Sequence, residues 1–378
     1  MARETLSKWS RRYVLASIGF LLIWQVGTLG SVPRHVEVIL AINGFVFHMI
    51  FGKAYTLVPS YFERDLAVTW APPLQLPLTI AGVSLLAFGW GQSGPAVTVG
   101  AIAWAIRDNI TGRETGTGPT NEERRTVDRI ANGFVVIALL YLGLGTVELV
   151  AGTTALPGLF DGALPRIAHL FAAGAAALMV FALGFRLLPR FLVVQPALPM
   201  VVLVLLSGAI GPILLAITLW RGPWFAVAGS IEFIAVVGFA TEYVRMFVRS
   251  DRDRVGFYGV LAGAFAAVIG VGLGLSFTQG HAVEPLVRAH LRLNLLGFLG
   301  LTIVGVAYQF YPPRVGRLPA ATNQTAHLSI WAIFVGLLVE VIGLINALPT
   351  LATLGNELVI LGTFLYAYLI VGAFTARS

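Results

Sequence analysis

The chain has 378 residues, 57% of them hydrophobic and only 11% charged, with a net charge of +7 and a mean hydropathy of +0.84. These values exclude a water-soluble domain of this size and leave an integral membrane protein. Cysteine is absent, which excludes disulfides, thiolate metal sites and cysteine nucleophiles, and the basic excess sits in short loops between apolar runs, pointing to a membrane surface rather than nucleic acid.

Apolar runs of about 20 residues, each enough to cross a hydrocarbon core of about 30 Å as a helix, follow one another along the whole length. The pattern predicts spans over 13–32, 37–59, 73–90, 94–107, 129–152, 166–189, 196–220, 224–248, 255–279, 288–312, 325–346 and 352–375. No small-residue cleavage site follows the first run, so it is read as a retained helix and not a signal peptide. The fourth run is short and Gly-rich, so the third and fourth could instead form a re-entrant pair. The expected fold class is all-α: a single polytopic membrane domain over 1–378 with about twelve transmembrane helices.

Charge gives this array a direction. Of the 25 Lys and Arg residues, the loops after odd-numbered spans hold only Arg34, Arg166, Arg221, Arg288 and Arg292; the rest lie at the termini and after even-numbered spans. By the positive-inside rule both termini are expected in the cytoplasm of a cell that carries the chain in its plasma membrane. The polar stretch over 108–128 is then an inside loop, its Asn109-Ile110-Thr111 sequence reads as chance rather than a glycosylation site, and the spacing from Thr120 to Glu123 reads as a capping box opening the fifth span.

Three segments share an internal pattern. With Pro59, Pro189 and Pro312 superposed, Gly44, Gly174 and Gly297 all lie fifteen residues earlier, and Tyr55, Phe185 and Tyr308 all lie four earlier. Each segment opens with a histidine, His35, His169 or His290, with Arg34, Arg166 or Arg288 close by. These are the second, sixth and tenth spans, so the period is four helices, and the chain is expected to be three pseudo-repeats over 1–107, 129–248 and 255–378. All three segments run the same way, so the histidines would share one depth near the outer face, where polar groups mark a site.

On these residues the sequence resembles the main subunit of heme-copper oxidases, especially the cbb3-type and nitric-oxide-reductase branch, and the related NnrS-like membrane proteins. That family has twelve helices in three pseudo-repeats of four. Its tenth helix carries His-x-His, then Leu-Gly and an aromatic residue, then Gly, Tyr and Pro; His290, Leu296, Gly297, Phe298, Gly305, Tyr308 and Pro312 match. The resemblance implies His290 as the axial ligand of the high-spin heme, His169 as the sixth-helix ligand of the copper called CuB, and His35 as the nearest candidate for the second-helix ligand of the low-spin heme. The departures are specific. Arg292 stands where the family's second tenth-helix histidine would bind iron, and it has no lone pair to offer. The seventh span lacks the paired histidines that complete the copper site, and one histidine cannot hold copper in the usual imidazole-rich geometry. CuB and a complete oxygen-reducing centre are therefore not expected.

Two readings follow. In the first, one b-type heme sits on His290 as the iron ligand, with Arg292 pairing its propionates and His35 or His169 filling the sixth position or leaving it to a gas; the resemblance ties this reading to respiration or nitric oxide. In the second, the same scaffold carries no cofactor and serves as a partner subunit or in transport, with Arg292, Glu340 and Glu232 as polar elements of a cavity. The lipid bilayer and other membrane subunits, electron-transfer subunits among them, are the expected partners, and no catalytic residue is assigned. Glu37, Glu148, Glu284, Glu340 and Glu357 map near outer helix ends and read as an Arg/Glu network, whereas Glu232 and Glu242 lie deeper in the eighth span. His48, Asn43 and Asn294 read as helix-packing groups, His281 and His327 as interfacial, and Trp70, Trp104, Trp220, Trp224 and Trp331 as an aromatic belt. No Walker, Rossmann or metalloprotease signature is present.

Overall fold

The computed structural model describes residues 2–30, 32–61, 66, 68–89, 122–152, 154, 157–316 and 318–376. Within them the chain is all-helical, with no strand. The long helices are α1 (Ala2–Gly27), α2 (Arg34–Pro59, continuing to Tyr61), α3 (Ala71–Phe88), α4 (Glu122–Ala151), α5 (Leu164–Leu192), α6 (Leu198–Thr218), α7 (Gly222–Val248), α8 (Val255–Phe277), α9 (Glu284–Phe310), α10 (Asn323–Ile345) and α11 (Pro349–Thr375). Ten of these, α2 to α11, are long and apolar enough to cross a membrane. The chain is a multi-pass membrane protein. The expected span over 94–107, Trp104 and Thr120 with the capping box it would open all lie outside the described residues.

Several boundaries differ from those expected. The first helix begins near the N-terminus and ends at Gly27, carrying Lys8, Arg11 and Arg12 before the apolar run. Pro59 and Pro189 lie inside their helices, which run past them to Tyr61 and Leu192, whereas Pro312 lies beyond Phe310, where α9 stops. A proline costs a helix its interior bond only where that bond would otherwise form, and neighbouring helices make up the loss in a bundle. Prolines also start helices: α3, α5, α7, α9 and α11 each have Pro in the first two positions, where the missing N–H is not needed.

Three helices are unlike the others. In α2, α5 and α9 the middle winds as a π-helix, over Ile39–Val46, Leu170–Ala177 and Leu293–Gly300. Gly44, Gly174 and Gly297 fall in these wide turns, and each meets the preceding long helix at its bare Cα. A Cβ on Gly44 would lie 2.7 Å from the Phe20 ring, one on Gly174 would run into the Tyr141 ring, and one on Gly297 would lie 2.6 Å from the Ala266 Cβ. The same three helices have the most buried spans, 83% for α2, 67% for α5 and 83% for α9, against 44% for each of α6, α7 and α8.

The chain divides into two compact units. One comprises Met1–Phe20, Pro33–Arg186 and Pro212–Leu219; the other comprises Leu21–Val32, Leu187–Gly211 and Trp220–Ser378. The first builds its core around α2. There the Tyr13 hydroxyl donates to the Pro72 carbonyl and to Gln75 Oε1, each at 3.0 Å, and Ser17 donates to the Phe45 carbonyl at 2.7 Å. In the second, glycines let backbones touch. A Cβ on Gly259 would meet Gly305 Cα at 2.7 Å, and one on Gly336 would meet the Gly355 carbonyl at 2.8 Å, which draws α10 and α11 into close contact.

Candidate functional site

The second unit holds a polar cluster in an apolar surround. Arg292 on α9, 1% exposed, donates from Nε to Glu340 Oε1 and Oε2 at 2.9 and 3.1 Å and from Nη2 to Glu340 Oε2 at 2.7 Å. Its Nη1 donates to Gln25 Oε1 at 3.0 Å and its Nη2 to Asn356 Oδ1 at 3.4 Å, while Thr28 donates to the same Asn356 oxygen at 2.9 Å. The guanidinium carbon lies 5.4 Å from the centre of the Trp24 ring, within cation–π range. Four helices therefore converge on one cation: α1, α9, α10 and α11. The approach of α10 to α11 at Gly336 and Gly355 is what carries Glu340 inward, since Glu340 lies one turn after Gly336. An arginine at the bilayer centre costs about 2.5–3.5 kcal/mol when unpaired, and a planar fork against a carboxylate offsets that best.

His290 lies on the same helix but turns elsewhere. Its Nδ1 bonds the Gly270 carbonyl at 2.8 Å, its ring meets Phe277 edge to face at 5.3 Å, and a Cβ on Gly274 would lie 2.7 Å from its Cε1. The imidazole is thus seated on the backbone of α8. Asn294 donates to the His290 carbonyl at 2.8 Å, which accounts for Asn294 as a packing group. In the first unit, His35 is exposed at the start of α2. His169, near the start of α5, bonds the Pro165 carbonyl at 2.7 Å. Among the described residues no group of three or more His, Asp or Glu side chains is placed to hold a metal.

A heme on His290 would need a flat space beside the ring and a cation for its propionates. The Nδ1 bond to Gly270 is of the kind that orients imidazole ligands. The ring, however, is packed between α8 and Phe277, and the Arg292 guanidinium is already engaged by Glu340, Gln25 and Asn356. These residues do not form the surroundings that a heme there requires. In the first unit, a cavity lined by Phe47, Phe51, Ala138, Leu142, Ala175 and Met179 measures about 20 Å³, room for one water-sized molecule.

The expected Arg/Glu network is met in part. Arg292 and Glu340 pair, but Arg166 pairs with Asp161 at 2.9 Å, and Glu148 takes the amide of Phe160 at 3.1 Å. Glu242 is engaged by Arg245 at 3.0 Å and by the Ala197 amide at 2.7 Å. Sequence reasoning missed Gln25, Trp24, Thr28 and Asn356. Their signal was available, because a glutamine or asparagine inside a run of aliphatic residues is itself unusual in a membrane span.

No family model matches the sequence, and no curated protein matches it. Among solved structures, a heme-copper terminal oxidase determined by cryo-EM as a dimer superposes with a TM-score of 0.63 at 12% identity, over 99% of this chain and 83% of that one. The chain has a heme-copper-oxidase-like fold. At that identity the likeness is one of architecture, and the chemistry has to come from the residues themselves.

Proposed function

We propose that this chain is an integral membrane subunit on the heme-copper-oxidase-like scaffold that works without a heme–copper centre, as a cofactor-free scaffold whose core is an ion pair. The observation that carries this is the buried Arg292–Glu340 pair, completed by Gln25 and Asn356, at the position where the resemblance puts an iron-binding histidine. The scaffold is read as three repeats of four helices with both termini cytoplasmic. The π-helical turn in α2, α5 and α9, each with its glycine against the preceding helix, supports the repeats, and the distribution of arginines supports the direction.

The test is the absorption spectrum of detergent-purified protein, expressed with ample heme and recorded oxidised and dithionite-reduced, beside His290→Ala. The expected result is aromatic absorption alone in both proteins. A Soret band that shifts on reduction and vanishes in His290→Ala would overturn this reading, assign a b-type heme to His290, and return the respiratory or nitric oxide role.

A further inference from the structure

Glu232, in α7, is buried within a membrane-spanning helix, and among the described residues no cation pairs with it. It is 8% exposed, and its Oε1 has no hydrogen-bond partner. Other deeply buried carboxylates are held: Glu340 by Arg292, Glu242 by Arg245 and the Ala197 amide, Glu148 by the Phe160 amide. The side chain of Glu232 lies flat on α6 at Gly211. A Cβ there would fall 2.6 Å from Oε1, 2.8 Å from Cγ and 2.9 Å from Cδ, so only a glycine leaves room for this carboxyl. On the same face of α6, one turn earlier, the Gly208 carbonyl lacks the usual amide donor four residues on, because that residue is Pro212.

Among the described residues, the helices around Glu232 bring no counter-charge to it. No residue of α6 titrates, and the only titratable residue of α8 is Tyr258, near its start. On α7 itself Glu242 and Arg245 hold each other, and Tyr243 donates to the Phe257 carbonyl at 2.8 Å. α9 faces α7 through Phe298 against Phe239; of its ionisable groups, Arg292 is tied to Glu340 and His290 to the Gly270 carbonyl, while Glu284 and Arg288 near its start and Tyr308 near its end complete the set. A lone carboxyl in such surroundings is tolerated only as the neutral acid, and a packing role alone would be filled as well by an apolar side chain.

We propose that Glu232, set against Gly211 of α6, is a proton-binding site inside the membrane whose proton exchanges with water. This stands apart from whether His290 holds a heme. Infrared spectra of the protein in vesicles of neutral lipid should show a protonated carboxylic C=O band that shifts in D2O and is lost in Glu232→Gln. A hydrophobic carbodiimide gives a readout on the unaltered chain. The acid proton passes to a carbodiimide nitrogen, the carboxyl oxygen bonds to the central carbon, and the O-acylisourea rearranges to an N-acylurea without losing an atom. Peptide mapping should place the adduct on Glu232 and not on Glu340, whose two oxygens are held by Arg292. Absence of the adduct from Glu232, or a carboxylic band that persists in Glu232→Gln, would overturn the proposal. So would a band that stays unshifted after long incubation in D2O, which would mean a sealed acid.

Discussion

α2 and α9 share one backbone device and treat their polar groups in opposite ways. Both wind through an eight-residue π-helical turn, both are 83% buried, and both place a glycine of that turn against a neighbouring helix. In α9 the buried cation is held by three partners from three other helices. In α2, His48 is fully buried, its Nδ1 bonds the Asn43 carbonyl at 3.0 Å, and its Nε2 and the Asn43 Nδ2 are left without partners. The wide turn is therefore a property of the segment, while polar saturation is a property of what the other helices bring. One helix is organised around a charge that must be paired; the other tolerates neutral groups whose unmet bonds cost much less.

That contrast breaks most visibly at Arg292. Arg292→Leu leaves Glu340 buried and alone, so a loss of about 3–5 kcal/mol is expected in denaturant unfolding in detergent, and Arg292→Leu with Glu340→Leu should recover most of it. A double variant as unstable as the single one would show that the pair is not the unit. Next in size are the glycines of the wide turns. Gly44→Ala and Gly174→Ala each push a Cβ into an aromatic ring, at Phe20 and Tyr141, and should cost about 1–3 kcal/mol, with Phe20→Leu relieving the first. If both alanines are neutral by the same unfolding assay, the close approach of the helices there is not needed.

Smaller effects sharpen the comparison. Tyr308→Phe removes the 2.7 Å bond between Tyr308 and Ser329, and a loss of about 0.6–1.7 kcal/mol is expected from the worth of such bonds between membrane helices. At His48 the sign reverses. His48→Leu deletes an unmet buried nitrogen, so stability should stay within about 1 kcal/mol of the parent or rise. A thermal scan in which His48→Leu falls as far as Arg292→Leu would mean that His48 carries a ligand or proton on which the fold depends.

The residues divide into those whose placement the chain's own pattern announced and those it hid. Apolar runs of spanning length announced the helices, since a backbone in lipid must bond to itself, and the shared Gly and Pro spacing singled out the second, sixth and tenth spans, which are the ones that wind wide and lie most buried. Arg292 was legible as a cation in need of a partner, and Glu340 was among the carboxylates within reach. Gln25 and Asn356 were not legible as its partners, because they lie far away in sequence and meet it only where α1, α10 and α11 pack.

Sequence by itself determined that this is an all-helical membrane protein, because length and hydropathy act within one helix. Only the tertiary structure decided that Arg292 is answered by a carboxylate, that His290 rests on α8, and that Glu232 Oε1 has no hydrogen-bond partner among the described residues. Those facts depend on which side chains from distant segments come within hydrogen-bond distance, and in a low-dielectric interior that proximity, more than residue type, decides what a charged group can do.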